Sequence, residues 1–518
     1  MSTRPLGIAA VLVVCSWSAA TAGAPSQQEG SKLVGSGAIG GAYQGSSVAI
    51  SSNGNTAVVG GYADNGGVGA AWVYTRTAGV WSQQGAKLVG NDTVGTSYQG
   101  RAVAISADGN TVLVGGHGDH GYTGAAWVYT RSGGVWSQQG AKLVGTGAVG
   151  NAEQGWSVAL SGDGNTALLG AQGDNGYAGA TWVFTRAAGV WSQQGAKLLG
   201  TGAAGIAEQG ASVAVSADGN TAIVGGLYDN SSVGAAWVFT RSAGVWSQQG
   251  LKLIGSGAVG PQVWQGCSVA ISADGNTSIV GGLYDNNLLG AAWVFTRSGG
   301  VWSQQGNKLV GTGSVGLGTA GTDVEQGTGV ALSGDGNTAM VGGPIDAGYL
   351  GASWVYTRTA GVWSQHGAKL VGTGEVMVPE QGGSIAMSAD GSTAIVGGDY
   401  DNVGSGAAWV FIDPSLLAVP SPTMHPAALQ LAPPFPNPGD NEFAISFSLP
   451  RDEAATVGVY DAEGRFVRTL VAGSVTAGGH TIRWDGRTSS GRAATDGIYF
   501  VALRAGGDQM TRRFVVLR

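Results

Sequence analysis

The sequence predicts an all-β protein: a closed seven-bladed β-propeller of four-stranded blades followed by a small immunoglobulin-like β-sandwich. Three observations predict it. Glycine supplies 96 of 518 residues while 43% of the chain is hydrophobic, a composition of many tight turns around a large core rather than of helices or disorder. One unit recurs along most of the chain: "AAWVYTR" and its variants place Trp at 72, 127, 182, 237, 293, 354 and 409. The array is also split at its ends, beginning with the last quarter of a unit and finishing with the first three.

In chain order, residues 1–24 read as a secretory signal, with Arg4, the apolar run "LGIAAVLVV" and small residues in "ATAGA". A secreted or extracellular location follows, with attachment to a bacterial cell surface as an option. Cys15 lies inside this leader behind Val14, where a lipoprotein site would want a small residue. Cys267 is then alone in the mature chain, so no internal disulfide is expected. No later stretch is apolar enough to span a membrane. The net charge of −7 supplies no basic field for nucleic acid.

Residues 26–413 hold the repeats. "WSQQG" and its variants place Trp at 81, 136, 191, 246, 302 and 363, in steps of 55, 55, 55, 56 and 61 residues. Within one unit, "AVAIS" is a β-rich run closed by the hairpin signal Asp108-Gly109-Asn110, and "TVLVGG" follows as its partner. "AAWVYTR" is a third strand and "VWSQQGAKLVG" a fourth, with no helical stripe anywhere in the period. Four antiparallel strands repeated seven times predict a propeller. The first copy, "SQQEGSKLVG" at 26–35, is a fourth strand only, and the last stops after "AAWVF" at 407–411. One strand plus three complete the seventh blade and hide the edges of an open array.

At this level the blades resemble FG-GAP repeats, the units of integrin α-subunit propellers and of many bacterial secreted proteins. "QGWSVALSGDGNTALLGAQGDNGYAGATWVF" at 154–184 carries the likeness, with Gln-Gly where the family has Phe-Gly: Gln44, Gln99, Gln154, Gln209, Gln265, Gln326 and Gln381. "VGGP" at 341–344 is nearest to the family's Gly-Ala-Pro element. The resemblance implies a repeat architecture and no particular ligand.

Residues 414–433 form a proline-rich linker, since 414–438 contains eight of the chain's 14 prolines. Residues 434–518 follow as alternating runs, "FAISFSLP", "ATVGVYD", "FVRTLV", "HTIRWDG", "GIYFVALRAG" and "RRFVVLR", the spacing of a small β-sandwich. The stretch from "PNP" through "YDAEGRFVRTL" and "WDGRTSSGR" to "VVLR" resembles the FlgD-type immunoglobulin-like module. It is similar also to C-terminal sorting domains of type IX secretion substrates. That resemblance implies export and retention at the surface.

Few side chains suggest chemistry. G-x-G-x-x-G, as in Gly145–Gly150, matches the dinucleotide fingerprint, but it recurs five times, no helix follows it, and a flexible interblade loop is the expected reading. His117 and His120 share one loop without further metal-ligand spacing. Cys267 fills a slot held elsewhere by Ser46, Arg101, Trp156, Ala211, Thr328 and Gly383, with no base in view. The Asp-Gly-Asn turns, at Asn53, Asp108, Asp163, Asp218, Asp274, Asp335 and Asp390, sit where integrin-type calcium loops lie. They offer at most one carboxylate each, and Asn53 none, so calcium is not favoured and no cofactor is expected.

A second acidic column, Asp64, Asp119, Asp174, Asp229, Asp285, Asp346 and Asp401, occupies the loop between the second and third strands of every blade. It is the candidate ligand-face ring, with the simpler alternative that each Asp caps its own turn. The repeated tryptophans are expected to pack blade against blade. Trp156 and Trp264 break the repeat and are the better candidates for aromatic contact. Lys142 and Arg131 stand for the repeated cations expected at solvated strand ends. The expected function is a non-catalytic, monomeric binding or adhesion scaffold that presents a loop face to a protein or glycan at a cell surface or matrix. A lectin-like propeller is the alternative within binding. A hydrolase or lyase with its site in the central channel is the alternative outside it, favoured if channel-facing residues differ sharply between blades.

Overall fold

The computed structural model describes residues 23–317, 323–416, 429–476 and 478–517. The expected leader falls outside them except for its last two residues, and Ala24 packs into the core of blade seven. Residues 417–428 of the expected linker also lie outside them.

Seven four-stranded antiparallel sheets build the first unit. Blade two is representative, with strands Ala102–Ile105, Thr111–Gly116, Ala125–Ser132 and Val135–Gln138 hydrogen-bonded in that order. Its second strand is buried throughout, as a strand covered on both faces must be. The first strands of successive blades touch around the ring, and that of blade seven meets that of blade one. They line the channel; the fourth strands lie outermost.

The split closure is present. Gln27–Gln28 pairs with the third strand of blade seven, Gln27 opposite Ile412 and Gln28 opposite Phe411. Its Glu29 accepts hydrogen bonds from Arg76 Nη1 at 3.0 Å and Trp81 Nε1 at 2.8 Å of blade one. Five other joints repeat that clamp with a glutamine, as where Gln84 accepts from Arg131 and Trp136. Arg131 also lies over Trp136, 5.2 Å from the ring centroid. The repeated arginines are therefore joint clamps, not solvated strand ends.

The two tryptophan columns separate by role. Trp72, Trp127, Trp182, Trp237, Trp293, Trp354 and Trp409 are fully buried and dominate the interblade cores. The outer column, Trp136 and its equivalents, is half-buried at the joints.

The glycine motif is explained by this packing. A Cβ on Gly145 would lie 2.0 Å from Trp182 Cδ1, so only glycine lets that strand end meet the indole face. Gly145 N–H donates to Gln154 Oε1, Trp182 Nε1 donates to Thr146 O, and Val149 N–H donates to Asp174 Oδ1. The loop expected to be flexible is instead pinned at each step. The same bonds account for Gln-Gly: the Gln154 amide closes on Gly145 by both its oxygen and its nitrogen.

The C-terminal unit is a two-sheet sandwich. Phe443–Leu449 pairs with Gly478–Trp484 in one sheet; Phe466–Val475, Glu453–Asp461, Gly497–Ala505 and Asp508–Val516 form the other. Trp484, Phe443 and Phe514 are fully buried between them. Gln430–Leu431 adds to the first sheet against Ser448 and Phe447, so the module begins inside the stretch expected as linker.

Candidate functional site

The seven aspartates of the expected ligand-face ring are 0–1% exposed. Each lies in a one-turn loop such as Asp119–Tyr122, where His120 and Gly121 are left-handed. Asp119 Oδ1 accepts from Val94 N–H of the incoming interblade loop at 2.7 Å, and Oδ2 pairs with Lys142 Nζ at 2.5 Å. The same pairing joins Asp64 to Lys87, Asp174 to Lys197, Asp229 to Lys252, Asp285 to Lys308, Asp346 to Lys369 and Asp401 to Lys32. These carboxylates present nothing to a ligand. They do not cap their own turns either; they tie each interblade loop to the next blade. Lys142, expected at a solvated strand end, is 17% exposed and held in this pair.

The hairpin aspartates are engaged as well. Asp108 accepts from Ser106 Oγ, Asn110 N–H and Asn110 Nδ2, and those bonds hold its carboxyl below the usual range against the effect of its partial burial. Among the described residues no group of three or more His, Cys, Asp or Glu is arranged to hold a metal ion.

What the rim does present lies one step inward, at the mouth of the central channel. A cavity of about 640 Å³ is lined in tiers by the first strands. Its deepest tier is uniform: Val48, Val103, Val158, Val213, Val269, Val330 and Ile385. The next is mostly serine, used partly in interblade bonds such as Val103 N–H to Ser47 Oγ at 3.0 Å. The outer tier is the slot in which no two blades agree: Ser46, Arg101, Trp156, Ala211, Cys267, Thr328 and Gly383.

Around this tier stands a second unlike column, the residue before each Gln-Gly pair: Tyr43, Tyr98, Glu153, Glu208, Trp264, Glu325 and Glu380. All seven hold a left-handed backbone, φ 54–61°, which turns the chain into the channel strand. Aromatic rings run in contact over one side of the mouth, from Tyr400 through Tyr43, Tyr62, Tyr98 and His117 to Trp156. On the other side Trp264 sits between Tyr228 and Tyr284, ring centroids 5.0 and 4.1 Å away.

The electrostatics are unusual for this molecule. Arg101 lies 4.5 Å over the Trp156 ring and has no carboxylate within 4 Å among the described residues; burial lowers its guanidinium below the ordinary value. Glu153 accepts from Gln172 Nε2 at 3.2 Å. Burial and the neighbouring Glu153 carboxylate push Glu208 up to about 7. Burial, Asp399 and Glu325 do the same for Glu380. Burial also raises Glu325 and Asp399, and with Arg101 it lowers His117 to about 4. Cys267 is pushed up to about 12 by burial, which leaves it a thiol at neutral pH.

Sequence reading thus found Trp156, Trp264 and the variable slot at Cys267, and the fold brings all three to one mouth. It missed the glutamates. Their signal was present: among closely similar units, the residue preceding Gln-Gly is aromatic in three and glutamate in four.

Comparisons with known proteins bear mainly on the C-terminal module. A family model described as FlgD Ig-like domain matches residues 437–509. The basal-body rod modification protein FlgD of Salmonella typhimurium is 39% identical over 70 residues, 13% of this chain and 30% of that protein. The FlgD of Escherichia coli strain K12 is 37% identical over 81 residues, 14% of this chain and 35% of that protein. The chain therefore spans about a third of the length of these curated relatives. Among solved structures, Kuenenia stuttgartiensis hydrazine synthase aligns with 70% of this chain and 94% of its own, at 13% identity and a TM-score of 0.43. The periplasmic gluconolactonase of Pseudomonas aeruginosa aligns with 64% of this chain and 86% of its own, at 18% identity and the same TM-score. The chain joins a β-propeller of seven blades to a C-terminal FlgD Ig-like domain.

Proposed function

We propose that this protein is an exported, non-catalytic binding scaffold whose propeller seats its ligand at the channel mouth. The C-terminal module serves export or retention at the cell surface, as the likeness to sorting domains suggests. The FG-GAP-like character of the blades fits an extracellular recognition role for a glycan or protein. One observation carries the reading: blades built on one repeated frame carry seven different residues where their first strands meet in the channel. Seven different side chains converging on one cavity are what a specific ligand would require of a repeated frame.

A second reading has its own support. Glu208, poised near neutral pH beside Glu153, is the kind of carboxyl pair that serves as acid and base in glycoside hydrolysis. The test for both is an array of glycans and matrix proteins probed with the full chain, with chromatography of any bound glycan after incubation. Binding without turnover supports the scaffold. Release of shorter products that stops in Glu208→Gln replaces it with a hydrolase. An array without a hit removes the binding role.

A further inference from the structure

Two cavities meet at Glu208 and Tyr228. One is the channel mouth; the other is a groove of about 530 Å³ on the rim of blade four, running past Ile206 and Ser231. A ligand filling both must be longer than a single ring and must cross the acid–aromatic boundary.

The chemistry of the mouth selects among ligand classes. Every aspartate of the outer ring has its lysine, whereas Glu208, Glu325 and Glu380 have no cation within 4 Å and accept no side-chain hydrogen bond among the described residues. Trp264 Nε1 is a buried donor with no partner there. Arg101 is a cation without an ion pair. A cationic ligand would meet Arg101 in the channel, and an anionic one would meet Glu208 with Glu153 beside it. Hydroxyl groups satisfy both sets, since each accepts from a guanidinium or indole and donates to a carboxylate. The rings of Tyr228, Trp264 and Tyr284 supply an apolar wall for a flat, carbon-bearing face.

We propose that the channel mouth and the blade-four groove form one site for a neutral oligosaccharide. Its terminal ring packs on Trp264 beside Glu208, in the cavity that Arg101 also lines, and the following units leave across Tyr228. The inference rests on the channel mouth being the ligand site and adds the class and direction of the ligand.

The test is calorimetric titration of the full chain with maltohexaose, cellohexaose and chitohexaose, and with spermidine and trigalacturonate as charged counterparts. The expected result is saturable binding of a neutral hexasaccharide, weakened roughly tenfold or more by Trp264→Ala and by Glu208→Ala, a loss on the scale of one or two hydrogen bonds. Tyr284→Ala serves should Trp264→Ala fail to fold, and Ile39→Ala, in the loop leading into blade one and outside both cavities, leaves the affinity unchanged. Silence from all three neutral probes overturns the inference, as does binding indifferent to both channel variants. Saturation by spermidine or trigalacturonate that the channel variants abolish overturns the ligand class but keeps the site. An array-identified ligand whose binding ignores every channel variant overturns the site itself.

Discussion

The seam offers the sharpest test of how the ring is held. Glu29 is 6% exposed, and one of its oxygens takes hydrogen bonds from both Arg76 and Trp81. Replacing it with alanine leaves a guanidinium that is 11% exposed with no counter-charge and an indole N–H with no acceptor. Removing one partner of such a buried pair costs about 3–5 kcal/mol. With an unfolding entropy of about 2.1 cal/mol/K per residue over a ring of roughly 390 residues, that is a Tm loss of about 4–6 °C. Glu29→Gln behaves differently. Gln84, Gln139, Gln194, Gln249 and Gln305 accept the equivalent Arg and Trp donors at 2.9–3.1 Å, so the amide should restore most of the loss. Differential scanning calorimetry on the full chain, following the propeller transition, reads both. A Glu29→Ala protein melting within about 1 °C of wild type, or a Glu29→Gln protein falling as far as alanine, refutes the reasoning.

Four further outcomes follow from the same geometry. Gly145→Ala drives a methyl into Trp182 and is expected to lose about 1–3 kcal/mol, against about 1 kcal/mol for Gly147→Ala, which meets only its left-handed backbone; paired urea melts compare them. Asp119→Ala strands Lys142 and the Val94 N–H and is expected to cost about 3 kcal/mol by the same melts. Glu208 and Glu380 have folded values near 7, above the unfolded ones, so the stability they contribute is full below about pH 4.5 and lost as pH rises through 7; the Glu208→Gln/Glu380→Gln variant should flatten that slope and exceed wild type at pH 8, and an unchanged slope in a pH series of melts contradicts the assignment. A calcium titration should give no heat from the Asp-Gly-Asn turns, whose carboxylates are taken up by Ser and Asn; tight stoichiometric uptake would reverse that view.

Much of the frame was legible because it is written seven times. Period, strand count and the split closure follow from spacing alone, and the structure pairs Gln27–Gln28 with blade seven as that spacing requires. The aspartate ring misled because a repeated carboxylate on the ligand-facing rim looks the same in sequence whether its partner is solvent or a lysine 23 residues later. Burial and pairing are three-dimensional facts: Asp64 and Lys87 meet only once the interblade loop is folded over them. The true mouth was half visible. Trp156 and Trp264 stood out as breaks in the pattern, whereas Glu153 and Glu208 carry no local signature beyond their place before Gln-Gly. Their significance comes from seven strands converging on one axis, which no local window contains.

The joints carry one consequence for how such a molecule can change. Five of the six internal boundaries use the same Gln, Arg and Trp; His366 stands in the place of the glutamine between blades six and seven, and the charged Glu29–Arg76 pair lies at the closing seam. Duplicating or losing one of blades two to five would therefore leave no mismatched boundary. Any such exchange would at the same time swap one member of the unlike outer tier, so a single recombination event between repeats would rewrite the lining of the channel mouth while leaving the clamps between blades untouched.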